Sequence, residues 1–297
     1  MESFEESRPD LREERDTEPV RLEPLRVEPV PESFPARVPN LLHFLLFLGL
    51  TIASLVVGEG LALLLGSGPL AMRMANQRLQ LGAESLAYAL ALGVAWPIFR
   101  ALWKRPLLVG LSWNGAGARS WMVLFGLGLG IVSQATESLL PTPKHAPIED
   151  LFRAPGVIWF LAGFGTLVAP LFEEILFRGF LLPGLAHAVD WMRVPKDFEA
   201  MEAWRVGAGG LRSYSAGALV GASLVTSLLF ALIHAPQIGY TWSAVGLLAG
   251  VSLVLCWVRV RYDSLAASTL CHACYNLSVF LTIFIGTSGF RHLDRAG

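Results

Sequence analysis

Between residues 41 and 285 the chain is a succession of long apolar stretches with only short polar breaks between them. A helix of about 20 mainly apolar residues is the element that crosses a bilayer, because backbone polar groups in hydrocarbon must be satisfied within the segment itself. Seven stretches fit: 41–65, 83–103, 121–140, 157–185, 216–234, 242–258 and 264–285. They predict an all-α, polytopic transmembrane bundle of seven spans. The fourth is too long for one straight crossing and carries Pro170, so it either kinks or splits, and a split gives eight spans. Composition agrees, since only 16% of residues are charged against about 25% in soluble domains. The chain reads as a multi-pass protein of the cell membrane, with the lipid bilayer as its surroundings. No basic patch interleaved with aromatic residues points to nucleic acid as a partner. Three cysteines, all in apolar segments, supply no disulfide framework.

Residues 1–40 are of another kind. They hold eleven acidic and six basic residues, are rich in proline and show almost no apolar periodicity. Such a stretch buries too little apolar surface to offset its ordering entropy, so it is expected to be a disordered, solvated tail. The transmembrane domain is then 41–290. With seven spans and the N-terminus in the cytoplasm, the inner segments hold sixteen Lys and Arg and the outer ones six. That bias favours the N-terminus inside.

Charges inside the spans narrow the function. Ala169-Pro170-Leu171-Phe172-Glu173-Glu174-Ile175-Leu176-Phe177-Arg178-Gly179 places three ionisable groups within six residues of an apolar span. Each costs about 2.5 to 3.5 kcal/mol at bilayer depth on insertion scales, which makes a functional site the default reading. On a helix Glu173 and Glu174 point about 100° apart, so they do different jobs. Glu174 and Arg178 stand at i and i+4 with the acid first, the favourable order for an ion pair. Glu173 is left as an available base; a buried structural ion cluster is the bland alternative. Glu59, Glu84 and Glu137 are single acids near span ends or glycines, expected to reach the interface or pair locally. Gly126, Gly128 and Gly130 suggest close helix packing. The segment 190–215 mixes aromatic and charged residues as an interfacial amphipathic segment or an inserted loop does.

Two further constellations lie downstream. Phe230-Ala231-Leu232-Ile233-His234 ends a span, and His272-Ala273-Cys274-Tyr275-Asn276 lies inside the last one, with His272 and Asn276 on one face. Each alone could be an interfacial group or interhelical glue. Three spans that each carry polar groups to bilayer depth are most cheaply accommodated around one cavity. A carboxylate, two imidazoles and an amide can perform water-mediated hydrolysis, with a base for the water and donors for an oxyanion.

The ordered triple Glu-Glu-x-x-x-Arg, Phe-x-x-x-His and His-x-x-x-Asn, at Glu173-Glu174-Arg178, Phe230-His234 and His272-Asn276, resembles the CAAX-protease and bacteriocin-processing family of intramembrane endopeptidases, whose best-known type is the type II CAAX prenyl endopeptidase. The resemblance covers roughly residues 157–285. It implies that Glu173 and His234 activate the attacking water, that His272 and Asn276 stabilise the oxyanion, and that Glu174 and Arg178 hold the motif helix. The implied substrate is a membrane-associated peptide or a lipid-modified, CAAX-like protein. Cofactor use divides two ways. A metal-free reaction with Glu173 as base is preferred; the alternative is zinc held by Glu173, His234 and His272. No His-Glu-x-x-His occurs in the chain. Cys271 and Cys274 read as small packing residues. Two rivals stand beside the peptidase: a non-enzymatic immunity or chaperone factor of the same fold, and a proton-coupled transporter using the same Glu and His.

One demand on depth follows. At about 1.5 Å per residue, His272 lies roughly 12 Å into its span, whereas His234 ends its own. A shared site therefore requires the fifth span to be displaced in depth.

Overall fold

The computed structural model describes residues 37–74, 76–140, 157–206 and 209–291. The expected disordered tail lies, for residues 1–36, outside the described residues. Arg37 to Asn40, grouped with that tail by composition, are tied into the bundle. Arg37 donates through Nε to the Trp204 carbonyl at 2.7 Å and through Nη1 to Ser213 Oγ at 2.9 Å.

Seven long helices are present among the described residues: α1 (Leu41–Leu65), α2 (Gln77–Trp103), α3 (Trp121–Glu137), α4 (Ile158–Arg193), α5 (Ala216–His234), α6 (Trp242–Tyr262) and α7 (Leu265–Gly286). All but α3 are long and apolar enough to cross a membrane; α3, at 17 residues, spans only about 25 Å. No strand occurs among the described residues. Polar caps set the helix starts. Asn40 and His43 bond reciprocally at the start of α1, and Ser215 and Ser264 accept from the third residue of α5 and α7. Each cap satisfies a backbone donor the helix itself leaves free.

The fourth span neither splits nor stays regular. It runs 36 residues without a break, about 54 Å of helix, but two of its turns are widened to π geometry. One covers Phe164–Val168, where Ala169 N–H reaches Phe164 O; the other covers Ile175–Leu181, where Leu182 N–H reaches Phe177 O. Each ends two residues before a proline, Pro170 and Pro183. A proline lacks the N–H for the α ladder and crowds the carbonyl four residues back. Widening the preceding turn accommodates the ring without breaking the helix. The kink expected at Pro170 takes this form, and it leaves Ala169–Glu174 as a short α-helical segment between two widened turns.

Neighbouring helices alternate in direction. His43 meets Trp103 and Phe47 meets Phe99, so α1 and α2 run antiparallel. Trp159 near the start of α4 touches Phe284 near the end of α7. The glycines of α3 do the packing expected of two of them. A Cβ on Gly126 would stand 2.5 Å from Cys271 O, and one on Gly130 would strike Ser278, whereas Gly128 faces open space. The segment after α4 holds a helix, Phe198–Val206, and Asp190 anchors its return by accepting from Ser215 N and Oγ. Cys256, Cys271 and Cys274 are free and buried.

Candidate active site

The six polar residues singled out from the sequence come together. Glu173, Glu174 and Arg178 lie on α4 within or beside the second widened turn; His234 closes α5; His272 and Asn276 lie one turn apart on α7. The offset in depth is present. Both histidines face Glu173, yet α5 extends about 27 Å before its histidine and α7 only about 10 Å before its own. The end of the fifth helix, with its terminal imidazole, therefore stands beside the first third of the seventh.

Glu174 and Arg178 are fully buried and pair at 3.0 Å, at ion-pair distance without the alignment of a good hydrogen bond. Arg178 also donates through Nη2 to Ser252 O at 3.1 Å and Ser252 Oγ at 2.6 Å, and its guanidinium lies 4.7 Å from the Phe230 ring. The motif arginine thus pins α4 to α6 as well as neutralising Glu174. The sequence reading gave Glu174 no further partner. The structure gives it one, His272 Nδ1 at 3.0 Å.

That contact decides what the histidines present. An Nδ1–H donated to Glu174 leaves His272 Nε2 with its lone pair. His234 repeats the pattern, its Nδ1 lying 2.7 Å from the Phe230 carbonyl one turn back. Each imidazole therefore aims Nε2 at Glu173: His234 Nε2 lies 3.7 Å from Oε1 and His272 Nε2 3.6 Å from Oε2. Both separations exceed a direct hydrogen bond and suit contact through a water. Glu173, 17% exposed against none for Glu174, is the carboxylate that reaches open space, as the 100° offset requires. Phe230, known from the sequence only as part of a motif, supplies an acceptor for one histidine and a ring that meets the other edge-on, centroids 5.8 Å apart.

Asn276 is positioned by the first widened turn, its Nδ2 donating to Gly165 O at 2.7 Å. One amide N–H remains for another acceptor. Gly165 also has a packing reason, since a Cβ there would stand 2.9 Å from the Phe280 ring.

These groups line a cavity of about 240 Å³, far more than one water needs. Leu161, Phe164, Val279 and Phe280 make its walls largely apolar. Three polar residues in it were not read as site residues: Glu84, Gln237 and Tyr275. Glu84 accepts from Tyr88 OH at 2.7 Å, the local pairing expected of it, while also lining the cavity. The Tyr88 ring in turn stacks on Phe172 at 3.9 Å, next to Glu173. The available signal was the Glu84/Tyr88 spacing of four residues on one helix face.

Among the described residues no group of three or more His, Cys, Asp or Glu side chains is arranged as a metal site; Glu173, His234 and His272 are the side chains that would hold zinc in the alternative reading.

Residues 155–278 match the family model Type II CAAX prenyl endopeptidase Rce1-like. The match covers less than half of the chain and makes residues 155–278 similar to that family. The matched region begins just before α4 and ends two residues past Asn276, and so contains all six polar residues described above and Phe230. Helices α1 to α3 lie outside it, although α2 contributes Glu84 and Leu81 to the cavity. No curated protein and no solved structure shows a significant match to the chain. Among the described residues, six helices are long and apolar enough to cross a membrane, as in a multi-pass membrane protein.

Proposed function

We propose that the protein is an intramembrane endopeptidase that hydrolyses a peptide bond of a membrane-associated substrate by a metal-free, glutamate-driven attack of water. The observation that carries the reading is the aim of two Nε2 atoms at the two oxygens of one carboxylate, at 3.7 and 3.6 Å. A water between Glu173 and His234 loses its proton to Glu173 as its oxygen attacks the scissile carbonyl, with His234 holding it in line. The developing oxyanion is met by the free N–H of Asn276, in a cavity whose apolar walls strengthen such contacts; His272, whose Nε2 keeps its lone pair, holds a bridging water against the other Glu173 oxygen. Collapse of the tetrahedral intermediate breaks the C–N bond, and the proton taken up by Glu173 passes to the leaving amine. The products are one new carboxyl terminus and one new amino terminus. Glu174 does not react; it fixes the orientation of His272 and is itself neutralised by Arg178.

Purified protein in lipid, incubated with a library of membrane-tethered peptides, tests this. Cleavage is expected to fall about 10²- to 10⁴-fold in Glu173→Gln, the range for a general base, and to survive a strong chelator. Unchanged cleavage in Glu173→Gln refutes the assignment. Loss on chelation, restored by zinc, refutes the metal-free step. Ion flux in liposomes without cleavage supports the transporter reading instead.

A further inference from the structure

Three arginines that the catalytic geometry does not use surround a second cavity. Arg37, Arg105 and Arg259 line it, its volume is about 90 Å³, and it shares no lining residue with the catalytic one. That is several times the space one water needs. Its walls come from the residues just before α1, the turn after α2, the segment leading into α5 and the end of α6, with hydroxyl groups from Ser112, Ser213 and Tyr214 among them. Arg259 is 1% exposed, and a cation so deeply buried requires partners. It has them for two nitrogens: Nη1 donates to Asp263 Oδ1 at 3.0 Å and Nη2 to the Leu111 carbonyl at 3.3 Å. Its Nε, also buried, meets no acceptor among the described residues. Arg37 bonds to the Trp204 carbonyl and to Ser213 Oγ, neutral acceptors that leave its charge uncancelled. The Arg105 side chain has neither a hydrogen bond nor an ion pair among the described residues.

Charge around the cavity is therefore unbalanced. Asp263 pairs with Arg259, and no Asp or Glu is among the lining residues, so among the described residues three guanidinium groups answer to one carboxylate. Like charges around one small space repel, and an anion between them turns that repulsion into attraction. Guanidinium forks bond in pairs to the oxygens of carboxylates and phosphates. A carboxylate offers two oxygens, whereas a phosphate group offers a tetrahedron of them, which suits donors brought in by three separate segments of the chain. We propose that this cavity binds one phosphate group, carried by a phospholipid headgroup or by a free phosphate ester. Basic pockets between transmembrane helices hold lipid headgroups by the same chemistry. The site rests on none of the catalytic assignments.

The full chain in detergent micelles, at constant ionic strength, is titrated with a short-chain phosphatidylglycerol in one arm and with inorganic phosphate in the other, and its thermal unfolding midpoint is followed. A ligand that binds only the folded state raises the midpoint with a half-saturation set by its affinity. Arg105→Gln removes a fork that holds no structural partner, so the fold is kept while half-saturation moves to about 10- to 100-fold more ligand, the range for a hydrogen bond between charged groups. Lys104→Gln removes the same charge from an exposed neighbour outside the cavity lining and is expected to leave the response unchanged. With that pattern in the variants, a response to phosphatidylglycerol alone supports the site with a lipid headgroup as its ligand. A response to inorganic phosphate supports it with a free phosphate ester. No saturable rise with either probe, the same half-saturation in Arg105→Gln as in the parent, or equal weakening by Lys104→Gln overturns the proposal.

Discussion

Glu174 and Arg178 form a buried charge pair whose removal separates stability from catalysis. Their contact of 3.0 Å, with neither side chain exposed, corresponds to about 5 to 6 kcal/mol of attraction at an effective dielectric of 20, before the cost of desolvating both groups. Removing one partner strands the other charge and is expected to destabilise the fold by about 3 to 5 kcal/mol; removing both leaves no stranded charge and recovers much of that. Glu174→Gln and Arg178→Met should therefore be strongly non-additive. The coupling is expected to be about 2 kcal/mol or more, against the 0.3 to 0.5 kcal/mol scatter of independent sites. Activity should not follow stability. His272 Nδ1 lies 3.0 Å from Glu174 Oε1, and the amide oxygen introduced by Glu174→Gln can still accept from it; the side chain introduced by Glu174→Leu cannot. The Glu174→Leu, Arg178→Met double variant should cleave about 10- to 100-fold more slowly than the Glu174→Gln, Arg178→Met one, because His272 loses the acceptor that orients it, and should be less stable only by the about 1 to 3 kcal/mol that an unpaired buried donor costs. Reversible unfolding in lipid–detergent mixtures gives the cycle, and cleavage of one reporter peptide gives the rates. Additive destabilisation would refute the charge-pair argument. Equal rates in the two double variants would refute a positioning role for Glu174.

Asn276→Leu removes both the bond to Gly165 O and the donor left for the oxyanion, so kcat should fall about 10²- to 10³-fold with KM little changed; a change confined to KM would argue for substrate contact only. Gly126→Val should destabilise the bundle by about 1 to 3 kcal/mol through overpacking, because its Cβ meets the Cys271 backbone, whereas Gly128→Ala should be neutral or slightly stabilising by thermal unfolding. His234→Phe keeps the ring but not Nε2, and should reduce cleavage about 10²- to 10⁴-fold while leaving the unfolding midpoint near that of the parent; a matched loss of stability would mark His234 as structural.

Relations confined to one helix were legible in the residues because helical geometry fixes them before any packing. The Glu174–Arg178 pair, the 100° separation that frees Glu173 and the shared face of His272 and Asn276 all follow from 3.6 residues per turn. Apolar run lengths likewise located the long helices to within a few residues, apart from the N-terminal extensions of α2 and the longer α4. The depth of α5 was readable only as a requirement of the shared site. Pro170 announced an irregularity without its form, since a split, a kink and a widened turn all accommodate a missing N–H.

What packing alone decided are the partners that come from elsewhere in the fold. Glu174 reaching His272, Gly165 O receiving Asn276, and Arg178 crossing to Ser252 join residues 98, 111 and 74 positions apart, and no local periodicity encodes such distances. The same holds for Glu84, an ordinary span-end acid until α2 is laid beside α4. The sequence by itself determined that charges would be buried in a lipid-embedded helix and on which of its faces. The tertiary structure determined which nitrogen each imidazole presents, because a ring nitrogen is committed by whatever acceptor stands opposite it, and that acceptor is known only once the helices have met.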